Sequence, residues 1–126
     1  MKLLMVIAIG GATGALGRHF LAGYVSQFFG GVFPWGILVV NVVGSVLLGV
    51  VAECGAQTSV FSAEFKALLA VGFLGAFTTF STFSLDVVEL CQKGLWTLAS
   101  IYIFTSVFVA VLGLVTGMAI TRGVMT

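Results

Sequence analysis

Four apolar runs, each long enough to cross a bilayer, take up almost the whole chain: about residues 3–28, 35–51, 65–90 and 95–120. A spanning helix needs about 20 residues. In lipid only helices or closed barrels satisfy every backbone N–H and C=O. Runs of this length predict an all-α integral membrane protein with four transmembrane helices in a single domain covering residues 1–126. The breaks are short: Phe29–Pro34, Glu53–Ser59 and Gln92–Gly94. Gly30, Gly31 and Pro34 punctuate the first of them, as turn residues do.

Composition says why no soluble alternative competes. The chain is 60% hydrophobic and only 7% charged, where a soluble domain carries about 25%, so it has too little polar surface to face water. No stretch is left over for a soluble domain, and there is no charge run or basic patch for nucleic acid. Met1-Lys2 and the apolar residues after it have the outline of a signal peptide. The run stays apolar beyond Arg18, however, and a retained first helix is expected. Cys54 and Cys91 sit at opposite ends of the third run, out of reach of each other. Both are expected as free thiols.

The third run contains the chain's least membrane-like sequence, Gly72-Phe-Leu-Gly-Ala-Phe-Thr-Thr-Phe-Ser-Thr-Phe-Ser84. Thr78, Thr79, Ser81, Thr82 and Ser84 lie in the middle of an apolar span, where no water satisfies them. Such sequence is tolerated where backbone is buried in protein or lines a hydrated path, and broken helices at this depth build ion sites in transport proteins. A third helix broken at the midplane and a passive ion pathway are therefore expected.

Four helices are too few to enclose a pore, so a second copy is expected. With both termini on one face, that face holds Lys2, Lys66 and Arg122, and the opposite face holds Lys93 and Arg18. Orientation follows the Lys/Arg bias, and here the bias is nearly nil. A single orientation and a dual one both remain open; insertion both ways would produce an antiparallel dimer. Gly10 and Gly14, Ser45 and Gly49, and Gly113 and Gly117 are each four apart, the small-residue spacing that lets helices approach closely.

Other polar residues in the spans each have a bland reading and a functional one. Asn41 offers an amide to a neighbouring helix or to an anion. Tyr102 and Ser106 share a face, with Thr105 beside them, and a hydroxyl also bonds readily to its own helix. Phe80 and Phe83 would share a face beyond the break, presenting positive ring edges that attract an anion without trapping it. Asp86 and Glu89 lie in the last turns of the third run, close enough to the interface to be solvated. Residues 3–28 contain no Asp or Glu, and no carboxylate lies deep in the first, second or fourth span, with His19 beside Arg18 a poor substitute for a titratable relay. Passive conduction fits better than proton-coupled pumping.

These pieces resemble the Fluc (CrcB) family of small bacterial fluoride channels. Gly10-Gly-Ala-Thr-Gly-Ala-Leu-Gly-Arg18 looks like that family's first-helix signature. Pro34-Trp-Gly-Ile-Leu-Val-Val-Asn-Val-Val-Gly-Ser45 looks like its second, and Gly72–Ser84 its hallmark third. The resemblance implies an antiparallel, dual-topology homodimer in the bacterial inner membrane, with two pathways conducting fluoride out of the cytoplasm. It also implies a structural Na⁺ between subunits, held by the backbone carbonyls of Gly75 and Thr78 from each copy. Asn41, Phe80, Phe83, Ser81, Thr82, Tyr102 and Ser106 would line the fluoride pathway, and Arg18 would gather anions in a vestibule. The fourth span departs from that pattern at Ala110 and Leu114, where a hydroxyl ladder would continue, and leaves the part of Thr116 open. His19 stands where an aromatic is usual.

Two rivals belong to other classes. A small multidrug-resistance transporter also has four spans and dual topology, but exchanges protons through a first-span Glu that this chain lacks. A non-conducting structural subunit accounts for the glycine spacings but not for hydroxyls clustered at one depth.

Overall fold

The computed structural model describes every residue from Met1 to Thr126, and it is all-helical. The elements are α1 (Lys2–Phe29), α2 (Trp35–Gln57), α3 (Ala63–Lys66), a π-helical stretch (Ala67–Leu74), α4 (Gly75–Phe77), α5 (Phe80–Gln92) and α6 (Trp96–Met125). Four segments are long and apolar enough to cross a membrane: Lys2–Phe29, Trp35–Gln57, Ala63–Gln92 and Trp96–Met125. The chain is thus a multi-pass membrane protein.

The bundle consists of two pairs of parallel segments. In one, α1 lies along the α3–α4 segment, so that Gly10 meets Leu68 and Gly72, Gly14 meets Phe73, and Gly17 meets Phe77. In the other, α2 lies along α6. Leu38 and Tyr102 share a core cluster, Val46 meets Gly113 and Gly117, and Gly49 meets Leu114. The spaced small residues explain the closeness. A Cβ on Gly14 would collide with the Phe73 carbonyl, and one on Gly49 with the Leu114 carbonyl. Backbone contact of this kind supplies the packing that membrane helices cannot obtain from water exclusion.

Both α2 and α6 run further than the apolar pattern predicts, α2 past Val51 to Gln57 and α6 past Ile120 to Met125. The reason is a charge pair. Arg122 donates from Nε to Glu53 Oε1 at 2.9 Å and from Nη2 to Oε2 at 3.0 Å, and Gln57 donates to the same carboxylate. The polar ends of two parallel helices satisfy one another, so neither unwinds where its hydrophobicity stops. At the opposite turn Gly94 (φ 76°) closes α5: Gly94 N–H reaches Cys91 O and Leu95 N–H reaches Leu90 O, both at 2.9 Å. That pairing is a Schellman cap, which favours glycine at the left-handed position. Cys54 and Cys91 are free thiols.

Candidate ion site

The site is built where Thr78 and Thr79 interrupt helical geometry. Thr78 has φ −80° and ψ 157°, and Thr79 has φ −152° and ψ 121°, both extended. The interruption follows the π-helical stretch, a geometry often found beside functional sites. Thr78 N–H still bonds Leu74 O at 3.0 Å, but Thr79 N–H leaves the helical ladder.

Each freed group has a partner from the sequence around it. Asn41, on α2, accepts Thr79 N–H on Oδ1 at 2.8 Å and donates Nδ2 to Thr79 O at 3.0 Å. A side-chain amide carries the same donor and acceptor as a peptide unit, so one Asn braces both polar groups of Thr79. Thr79 then caps α5, its Oγ1 accepting from Thr82 N–H at 3.1 Å. The same hydroxyl donates to Thr82 Oγ1 at 3.1 Å and lies 3.3 Å from Ser81 Oγ. From α1, Arg18 Nη1 donates to Thr78 O at 3.3 Å.

Beside the interruption lies a cavity of about 320 Å³, lined by Asn41 and Ser45 of α2, Phe80 and Phe83 of α5, and Ser106 and Ala110 of α6, among others. The ring centroids of Phe80 and Phe83 are 5.6 Å apart. Phe83 is 8% exposed, whereas Phe80 is 78% exposed and stands at the cavity's outer edge. Ser106 Oγ is buried and has no hydrogen-bond partner. Asn41 has two amide hydrogens, and Thr79 O engages one. The cavity is therefore uncharged, mostly apolar, and supplied with a few free donors.

Four of the residues expected along the pathway, Asn41, Phe80, Phe83 and Ser106, meet in this cavity. The other three are placed differently. Ser81 and Thr82 serve the Thr79 cap, and Thr82 faces a second cavity of about 410 Å³ that Arg18 and His19 also line. Tyr102 is fully buried, its ring 5.0 Å from that of Phe83 and its hydroxyl donating to Asp86 Oδ2 at 2.9 Å. Thr116 bonds back to Leu112 O at 2.7 Å and does not line the cavity.

Sequence reasoning missed Ser45, Asp86 as the partner of Tyr102, and the Glu53–Arg122 pair. For Ser45 a signal existed: it follows Asn41 by one helical turn and so shares its face. For the two carboxylates there was none, because their partners are distant in the chain.

The carbonyls of Gly75 and Thr78 are the oxygen donors expected for a cation. Thr79 N–H, which would close a helical bond onto Gly75 O, is held by Asn41 instead. Gly75 is exposed at the surface of this copy, and Thr78 O lies outside regular helix with only the long Arg18 contact. Neutral carbonyl oxygens are the donor type that suits a hard monovalent cation, and Thr78 O already shares its lone pairs with the Arg18 guanidinium.

Comparison with known proteins agrees with the geometry. Residues 5–118 match the family model described as CrcB-like protein, Camphor Resistance (CrcB). A "Fluoride-specific ion channel FluC" of Geobacter sulfurreducens is 40% identical over 122 residues, covering 97% of this chain and 98% of its own. A protein of that name from Rhizobium johnstonii is 42% identical over 118 residues, 94% of each chain. One from Shewanella oneidensis is 48% identical over 101 residues, 80% of this chain and 81% of its own.

Proposed function

The chain belongs to the CrcB family, and on that premise we propose that it is a fluoride channel of the bacterial inner membrane. It carries fluoride passively out of the cytoplasm and so protects the cell from fluoride. It is a conduit rather than an enzyme. The third membrane segment is one helix broken at Thr78–Thr79 near the bilayer midplane, and the cavity beside the break is part of the ion path.

Ser106 carries this assignment. A hydroxyl buried without a partner is costly in an apolar setting, by about 1–3 kcal/mol. Here it faces a cavity into which Asn41 can turn an amide hydrogen. An anion passing between them would receive hydrogen bonds in place of water, with the edges of Phe80 and Phe83 as further positive partners. The absence of a full positive charge among the cavity's lining residues keeps that anion mobile. Arg18, beside the second cavity, raises anion concentration near the path.

One copy does not complete the path. Only 21 of its 126 residues are buried, and Phe80 stands almost uncovered. The second copy is antiparallel, in keeping with the small Lys/Arg bias between the two faces, and the dimer has two pathways. Gly75 and Thr78 carbonyls from both copies would hold a structural Na⁺, which locks two broken helices together by electrostatic attraction to neutral oxygens. With Thr79 N–H held by Asn41, Gly75 O would be left free for that ion.

Purified protein in liposomes loaded with fluoride or chloride tests the proposal directly. Fast fluoride release with chloride retained is the expected result. Retention of both by correctly assembled protein would sink it.

A further inference from the structure

Ala110 lines the cavity without a hydrogen-bonding side chain. On α6 the hydroxyl of Ser106 is followed one turn later by Ala110 and then by Leu114, neither able to hydrogen-bond an anion through its side chain. Ser45 lines the same cavity from α2. Because α2 and α6 run parallel, the step from Asn41 to Ser45 advances in the same direction as the step from Ser106 to Ala110.

Of the other hydroxyls inside the helices, those of Ser26, Thr97 and Thr105 make no side-chain hydrogen bond but lie outside this cavity, and several more are engaged by their own backbone. Ser84 bonds Phe80 O, Ser100 bonds Trp96 O, Thr116 bonds Leu112 O and Thr121 bonds Gly117 O, at 2.9, 2.9, 2.7 and 2.8 Å. That is the ordinary fate of a helical hydroxyl without other work. Ser45 makes no such bond to Asn41 O, and Ser106 bonds nothing. Two free hydroxyls thus line one cavity from different helices, with the Asn41 amide beside them.

We propose that Ser45 is an anion-contacting residue, whose hydroxyl replaces the one Ala110 lacks, so that the donor track passes from α6 to α2. This rests on the channel reading of the same cavity. Its geometric basis is that an apolar Ala110 and an unengaged Ser45 share one cavity.

Fluoride efflux from liposomes tests it with four variants. Ser45→Ala should slow fluoride release about tenfold, the worth of one hydrogen bond to a charged group. Ser45→Thr keeps the hydroxyl and should conduct near the parent rate. Ser45→Cys keeps the size with a weak donor and should be slow. Adding Ala110→Ser to Ser45→Ala should recover most of the loss by restoring a hydroxyl across the cavity. Parent-rate conduction by Ser45→Ala would overturn the proposal. So would slow release by all four variants, because Ser45 would then be a packing residue. A parent protein that releases no fluoride fails the channel reading itself, a result distinct from either.

Discussion

At the scale of single residues, Asn41 does two things that substitution can separate. It braces Thr79 with one acceptor and one donor, and it keeps a second amide hydrogen beside the cavity. Asn41→Ala removes both functions and leaves Thr79 N–H unsatisfied, at a cost of about 1–3 kcal/mol. Asn41→Asp keeps the acceptor for Thr79 N–H but has no donor and adds negative charge at the path. We expect Asn41→Asp to retain the parent's elution volume while abolishing fluoride efflux, and Asn41→Ala to lose melting temperature as well. Equal melting temperatures for Asn41→Ala and the parent would refute the brace. Phe80→Leu should also lower efflux without disassembly, since an aliphatic side chain presents no positive edge.

At the scale of elements, the α2–α6 pair forms two walls of the cavity, and its spacing depends on missing Cβ atoms. Gly49 and Gly117 allow each backbone to touch the other, and the Glu53–Arg122 pair fixes their relative register at one end. Gly49→Ala forces a methyl against the Leu114 carbonyl, which no flexible side chain can absorb. Overpacking of this kind costs about 1–3 kcal/mol. A lowered melting temperature in detergent is the expected outcome, with Gly23→Ala, which has open space around it, unchanged as the control. A Gly49→Ala protein as stable as the parent would mean the helices are not in backbone contact.

For the whole molecule, the proposed antiparallel dimer requires insertion in both directions. Lys2, Lys66 and Arg122 lie towards one face and Lys93 towards the other, with Arg18 inside the bundle beside Thr78 O, so the bias is small. One or two added lysines should therefore impose a single orientation. A variant biased at the termini and another biased at the Gln92–Gly94 turn should each fail to conduct when expressed alone, and conduct when expressed together. Full conduction by either one alone would rule out the antiparallel dimer.

Span number, the approximate limits of the helices and the unusual character of Gly72–Ser84 were legible in the chain. Hydrophobic length and the demand for backbone hydrogen bonds in lipid are local quantities. Asn41, Phe80, Phe83 and Ser106 were also visible as candidates, because a polar or paired aromatic residue in an apolar run stands out. Other features required tertiary contact. Asn41 meets Thr79 across 38 positions and Arg122 meets Glu53 across 69. Nothing in local spacing says which partner each would find, or that Glu53 would keep α2 helical to Gln57. The cavity likewise exists only once α2, α5 and α6 converge. That convergence separates Ser45, free to face the cavity, from hydroxyls such as Ser84 and Thr116 that turn back on their own helix. The sequence determined that this chain crosses the membrane four times with a polar interruption in the third pass. Packing of helices distant in the chain decided which polar groups are engaged and which remain free.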